Sequence, residues 1–111
     1  MMIKEVIVMI TVTMSHQKAR MSAFNDTVIE ITGHAMNAPY GHDIVCAAVS
    51  VLYSAVANHI TSSRVDDLDG KVTMVINSLD AGNQRLIETF TDTIQELSLQ
   101  YPDNVQLIDG D

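Results

Sequence analysis

Cysteine is nearly absent from the sequence: Cys46 is the only one in 111 residues. A single cysteine cannot form an intramolecular disulfide, so the chain suits a reducing compartment. The length predicts one domain, residues 1–111, that can bury a core without covalent crosslinks. With 47% apolar and 18% charged residues, the composition is that of a globular protein rather than a disordered one.

Basic residues are also scarce. Six Lys and Arg stand against fourteen Asp and Glu, which gives a formal net charge of −8. Such a chain is a poor electrostatic match for a phosphate backbone, so we expect no nucleic-acid partner. The acidity favours a basic peptide or protein partner, although the solubility that net charge confers is by itself the better explanation of it.

Long uninterrupted apolar runs are missing too. The apolar start of the chain alternates with Lys4, Glu5 and several threonines, and it lacks the pattern of a secretory signal. The run 44–60 is short for a membrane span and is interrupted by Ser50, Ser54 and other polar residues. We therefore expect a cytoplasmic protein without a membrane partner.

The motifs of common cofactor sites are not found. The sequence has no Walker A loop, no G-x-G-x-x-G and no G-x-S-x-G, so we expect no cofactor. A metal site remains as an alternative, because His34, His42, Asp43 and Cys46 offer nitrogen, oxygen and sulfur ligands. Their spacing matches no common structural zinc pattern and supplies one thiolate, so this is the weaker hypothesis.

The pattern of apolar residues predicts an α+β fold in the order β-β-α-β-α-β. The first two strands should form an antiparallel hairpin, and both helices should pack on one face of a small mixed or antiparallel sheet. Segments 14–25 and 61–70 are polar and are predicted as a connection and a turn region. The predicted strands are 2–13, 26–32, 71–77 and 105–108, and the predicted helices are 44–59 and 80–99. The second helix should be capped by Ser78 or Asp80 and ended by Tyr101-Pro102.

The candidate site lies at the start of the first helix. If Asp43 is the N-cap, Cys46 is the third residue of the helix, beside backbone N–H groups that lack intrahelical partners. That end of the helix dipole favours a thiolate, and the same N–H groups could hold an oxyanion. Ser50, Ser54 and Asn58 follow Cys46 at steps of four, which predicts a polar stripe headed by the thiol.

Histidines near this cysteine supply candidate bases. His34 ends a strand beside Gly33, and the loop 35–42 could fold it over the helix start. His42 is a rival base, whereas His16 and His59 have no context that indicates chemistry. A cysteine with a purely structural, buried role remains open on these grounds, since free cysteine is among the most buried residue types.

The stretch Gly33-His34-Ala35, followed after the loop by DIVCAAVS at residues 43–50, resembles the ribosomal-processing cysteine protease family Prp. The resemblance implies a Cys46 nucleophile with His34 as general base. It also implies a substrate-binding role for the family-like positions, which are Gly33, Tyr40, Gly41, Asp43 and Ser50.

The same resemblance implies a function. Members of the family form homodimers and remove a short N-terminal extension from a bacterial ribosomal large-subunit protein, and related phage enzymes process capsid or scaffold proteins. The resemblance therefore implies a cysteine endopeptidase acting on the ribosomal protein, with phage-type processing as an alternative. A binding or assembly module that keeps the fold without the chemistry is the alternative from another class.

Overall fold

The computed structural model describes residues 9–18, 25–33 and 43–110. Within these ranges the chain forms five strands in one mixed sheet and two helices, which confirms the α+β class. The sheet order is β3-β4-β2-β1-β5, with β1 and β5 parallel and the other neighbours antiparallel. The elements are β1 Ile10–Lys18, β2 Asn25–Thr32, α1 Asp43–Ala57, β3 Arg64–Leu68, β4 Lys71–Asn77, α2 Ala81–Gln100 and β5 Val105–Asp109.

One face of the sheet carries the core. The register places Val12 opposite Ile31 and Ile29 opposite Met74, so alternate apolar side chains form rows across the strands. Both helices pack on this face, as predicted, because their buried residues belong to the same cluster. The helical members of that cluster are Val45, Cys46, Val49 and Val56 from α1 and Ile87, Phe90 and Ile94 from α2.

The second helix agrees closely with the prediction from its sequence. Asp80 is the N-cap, and its side chain accepts a hydrogen bond of 2.9 Å from the backbone N–H of Asn83. The helix ends at Gln100, and Tyr101 is the C-cap before Pro102. A cap, an apolar stripe and a stop signal thus act together, so local sequence was sufficient to predict this element.

The prediction of a polar turn region at 61–70 is wrong. Residues Arg64–Leu68 form β3, an edge strand that pairs antiparallel with β4. The connection is the two-residue turn Asp69-Gly70, whose φ values of 52° and 77° are both positive, as a type I′ hairpin requires. The element order is therefore β-β-α-β-β-α-β. The strand's exposed polar residues are those expected at a sheet edge that must avoid pairing with other chains.

The first strand also differs from its predicted range of 2–13. Residues 2–8 lie outside the described residues, and β1 runs five residues further, through Lys18, into the predicted connection. Met14 is buried opposite Ile29, while Thr13 and Ser15 point to the other face, so the alternation continues. The antiparallel hairpin of β1 and β2 is confirmed, with Lys18 opposite Asn25.

A buried amide holds the connections at one end of the sheet together. The side chain of Asn83 accepts a 2.9 Å hydrogen bond from the Thr61 N–H and donates to the carbonyl oxygens of Thr61 and Asn77 at 2.7 and 2.9 Å. Thr61 follows α1, and Asn77 ends β4 opposite Asp26 at the start of β2. The end of α1 is thereby fixed beside the start of β2.

Candidate functional site

Cys46 lies in the first turn of α1. The helix begins at Asp43, one residue earlier than predicted, so Asp43 is its first residue rather than the residue before it. Cys46 is only 7% exposed and belongs to the core cluster with Val45 and Val49. The helix start therefore favours the thiolate of Cys46, whereas burial among largely apolar residues favours the neutral thiol.

The predicted polar stripe does not lie on one face of α1. Cys46 is buried, Ser50 is half-buried, and Ser54 and Asn58 are exposed. A step of four residues advances about 400° around an α-helix, so each member is rotated roughly 40° beyond the last. The stripe consequently turns from the core at Cys46 to solvent at Asn58. Cys46 is a core-facing residue at the edge of the buried face, with Ser50 next to it on the solvent side.

Gly33 ends β2 in a conformation that other residues resist. Its φ is +77°, and a Cβ at this position would collide with the carbonyl oxygen of Met9. Glycine is thus required here by both the backbone angle and the close approach of Met9, the residue before β1. The next residue in the chain is His34, which lies outside the described residues.

The first turn of α1 lies at the opposite end of the helix from the connections that Asn83 holds. The end of α1 is tied through Asn83 to Asn77, which lies beside the start of β2. A helix of 15 residues extends about 22 Å at a rise of about 1.5 Å per residue. Its first turn, which holds Cys46, therefore lies one helix length away from the start of β2.

Several predicted site residues lie outside the described residues. These are His34, Tyr40 and Gly41, together with the rival base His42. Of the remaining positions, Gly33 is exposed, Asp43 begins α1, and Ser50 is half-buried one turn after Cys46. The structure therefore shows Cys46 in the first turn of α1 and Gly33 after β2, while the roles of both residues and the pairing of Cys46 with His34 stay predictions.

Other polar features of the described residues show no comparable chemistry. A shallow cavity of about 260 Å³ is lined by His16, Thr27, Ser78, Gln84, Ile87 and Glu88. His16 Nδ1 lies 3.2 Å from the Thr27 hydroxyl, at the start of β2 and away from Gly33. Sequence reasoning missed this contact and the buried Asn83, because their partners are distant in the chain.

The described parts of the chain contain no group of three or more His, Cys, Asp or Glu that could hold a metal ion. Neither α1 nor α2, the helices found in those parts, has the length and apolar character needed to cross a membrane.

The sequence and fold of this chain are similar to those of known cysteine proteases. The profile of a family described as "Cysteine protease Prp" matches residues 9–106. The ribosomal processing cysteine protease Prp of Staphylococcus aureus strain Mu50 is 34% identical over 91 residues, covering 73% of this chain and 84% of that protein. The protein of the same name from strain NCTC 8325 matches to the same extent.

Solved structures share the fold. The crystal structure of SMU.848 from Streptococcus mutans matches with a TM-score of 0.69 and 31% identity, covering 91% of this chain and 93% of that one. The essential ribosomal processing protease Prp from S. aureus, in complex with a substrate peptide, matches with a TM-score of 0.69 and 26% identity, covering 92% and 100%. The same S. aureus protease with a covalently linked product peptide gives a TM-score of 0.68.

Proposed function

The chain belongs to the ribosomal-processing cysteine protease family Prp, and from that premise we propose that it is a cysteine endopeptidase with Cys46 as nucleophile and His34 as general base. The observation that carries the proposal is that the only cysteine of the chain occupies the first turn of α1. A cysteine peptidase needs a thiolate, and no other residue of this chain can supply one.

The proposed mechanism follows from these two groups. His34 takes the thiol proton, and the Cys46 thiolate attacks the scissile carbonyl carbon to form a tetrahedral oxyanion. Backbone N–H groups at the start of α1 stabilise that oxyanion. Protonated His34 gives its proton to the leaving amine, which leaves an acyl-enzyme on Sγ. A water molecule, deprotonated by His34, then attacks the thioester, and the thiol is regenerated as the peptide acid departs.

The proposed substrate is the N-terminal extension of a bacterial ribosomal large-subunit protein. The S. aureus relative is named a ribosomal processing protease, and its structures hold a substrate peptide and a covalently linked product peptide. The net charge of −8 favours the approach of a basic substrate. Substrate-binding roles are proposed for Gly33, Tyr40, Gly41, Asp43 and Ser50.

One observation favours a non-catalytic module on the same fold. The Cys46 side chain is 7% exposed and lies in the core cluster, which is the setting of an ordinary structural cysteine. Thiol alkylation at mildly acidic pH separates the two functions. A catalytic thiolate should react rapidly and stoichiometrically with iodoacetamide, whereas the slow rate of an unactivated thiol would support the binding module.

Cleavage of the host's extended ribosomal protein tests the proposal directly. The variants are Cys46→Ser and His34→Ala, and the matched control is His59→Ala, which removes an exposed histidine whose Nδ1 contacts the Ala55 carbonyl oxygen. We expect cleavage to fall by roughly 10³-fold or more in the first two and to persist in the control. Equal cleavage by wild type and Cys46→Ser would show that the nucleophile is wrong. Cleavage of a phage capsid or scaffold protein instead would favour the phage-type alternative.

The cellular setting of the proposed protease is predicted as cytoplasmic, with residues 1–111 as one protease domain. A homodimer is also proposed, in keeping with the resemblance to the family. Cell fractionation of the native host tests the first expectation, since recovery with the membrane or secreted fraction would contradict it.

A further inference from the structure

The outer edge of β3 presents backbone hydrogen-bonding groups that no described strand uses. β3 is the last strand in the sheet order, and among the described residues only β4 pairs with it. The Ser78 N–H donates to the Asn25 carbonyl oxygen at 3.0 Å, so even-numbered residues of β4 bond to β2 and odd-numbered residues bond to β3. Asp66 lies opposite an odd-numbered residue and therefore bonds to β4. The N–H and C=O groups of Val65 and Asp67 consequently point outward.

The β3–β4 hairpin is acidic along this edge. Its two basic residues each lie near a carboxylate, at 3.5 Å for Arg64 and 3.6 Å for Lys71. In the described part of the chain, no such cation lies beside the exposed side chains of Asp67 and Asp69. These carboxylates repel an acidic strand, a copy of β3 included, and so protect the edge from unwanted pairing. They attract a strand that carries lysine or arginine.

The two faces of β3 define the spacing of the basic residues that would match it. Val65 packs against the core, so it and Asp67 point to the helix side of the sheet. Asp66 points to the opposite side. Side chains of an incoming strand alternate in the same way, and oppositely charged cross-strand pairs stabilise a sheet. Two consecutive basic residues therefore match Asp66 and Asp67, one on each face.

The β3 edge adjoins the helix that holds the proposed nucleophile. Burial and then the negative charge of Asp67 raise the pKa of Tyr53, which lies on α1. Tyr53 follows Cys46 by about two helical turns, or about 10 Å along the axis. An extended chain spans this axial distance with about three residues. A segment docked on β3 can thus be continuous with a peptide that reaches Cys46.

We propose that the outer edge of β3 binds an extended, basic segment of the protein substrate, which joins the sheet as a further strand. The inference rests on the proposed function and adds a substrate-binding surface to it. Backbone hydrogen bonds to Val65 and Asp67 hold the segment, and the carboxylates of Asp66 and Asp67 select for consecutive lysine or arginine residues. The net charge of −8 attracts a basic substrate to the whole molecule, and this edge gives that attraction a location.

Fluorescence anisotropy with a defined probe tests the charge selection. The probe is a labelled peptide of sequence TVTKKVT, the matched peptide is TVTQQVT, and all chains carry Cys46→Ala so that nothing is cleaved. We expect Asp67→Lys to weaken binding of the lysine peptide by at least about 5-fold. Asp92→Lys makes the same charge change at an exposed position of α2 and should weaken it by less than about 2-fold. Equal effects of the two variants, or equal affinity for the two peptides, would overturn the proposal.

Amide hydrogen exchange tests the pairing of the backbone without a change in β3. With saturating lysine peptide, exchange at the Val65 and Asp67 N–H groups should slow by at least about 10-fold, while exchange at Gly70 in the turn should not. Unchanged exchange at Val65 and Asp67 would overturn the proposal. Val65→Pro removes one outward N–H at an edge position where proline is tolerated, and it should weaken peptide binding by at least about 5-fold. Circular dichroism checks that this variant is folded; if it is not, the exchange result decides.

Cleavage of the host's extended ribosomal protein by chains that keep Cys46 separates this inference from the protease proposal. Asp67→Lys should raise KM and leave kcat unchanged, because the β3 edge binds substrate away from the reacting atoms. Cleavage with an unaltered KM contradicts the role of β3 and leaves the protease standing. Peptide binding at β3 in a chain that cleaves nothing contradicts the protease and leaves the binding edge standing.

Discussion

The two helices lie on the same face of one sheet, yet they are constructed in opposite ways. In α2, Phe90 and Ile94 are fully buried, charged residues occupy the outer face, and Asp80 caps the start. In α1, no charged residue follows Asp43, and Ile44 and Val51 remain exposed. Apart from exposed Leu99 near its end, the sequence of α2 is explained by folding, whereas the uncharged, exposed apolar residues of α1 gain nothing for the folded chain by themselves. Local departures of this kind are where function is expected.

The thiol gives the largest effect that can test this contrast. Cys46→Ala should lower cleavage by about 10⁴-fold or more, because the nucleophile is lost. Its cost in stability should be small, about 1 kcal/mol, the range for deleting one buried heavy atom. Peptide cleavage and urea unfolding measure the two quantities on one sample. Retained cleavage would show that Cys46 is not the nucleophile. A variant that loses cleavage because it is unfolded would show that Cys46, like the buried residues of α2, serves the fold.

The corresponding large effect on stability should come from α2. Phe90 is fully buried, so Phe90→Ala should lower the free energy of unfolding by about 3–5 kcal/mol. That is a large share of the roughly 5–15 kcal/mol of a typical domain. Leu99→Ala is the control, since Leu99 is 76% exposed on the same helix and should cost less than about 0.5 kcal/mol. Chemical denaturation measures both, and equal costs would contradict the assignment of α2 to the core.

Parts of the fold with consistent local signals were predictable from the sequence. The predicted range of β4 is the observed one, because its apolar residues alternate. The predicted range of α2 is within one residue at each end, because period, cap and stop signals agree there. In contrast, β3 was missed although Asp69-Gly70 is a recognised hairpin turn. Its residues are polar because it lies at the sheet edge, so its pairing with β4, rather than its own apolar pattern, makes it a strand.

Near the candidate site, short-range signals predict local structure but not orientation. They predict a helix that starts just before Cys46 and a glycine conformation at Gly33, and the structure has both, while the site itself stays a prediction. The face of α1 that meets the sheet depends on tertiary packing, so the stripe from Cys46 to Asn58 was misread. Asn83 was missed for a related reason, because its partner Thr61 is 22 residues away in the chain.

Asn83 should give the next effect in size. Asn83→Ala removes three side-chain hydrogen bonds and leaves polar groups of Thr61 and Asn77 without these partners. We expect a loss of about 2–3 kcal/mol, the cost of burying unsatisfied groups. Gln84→Ala removes a single exposed bond to the Ser78 carbonyl oxygen and should cost under about 1 kcal/mol. Urea unfolding compares the two, and similar losses would show that the buried amide contributes little.

The smallest effect concerns Tyr53, where α1 meets the β3 edge. Burial, and secondarily the negative charge of Asp67, raise the pKa of Tyr53 above its ordinary value of 10.0. The unfolded chain thus loses this proton first, so the contribution of Tyr53 to stability is complete below pH 10 and is lost as pH rises through the folded pKa. The titration of Tyr53 is measured as the difference in tyrosinate absorbance between wild type and Tyr53→Phe as pH rises. Asp67→Asn should lower this pKa only partway, because burial is the larger cause; a full return to the ordinary value would show that the charge dominates.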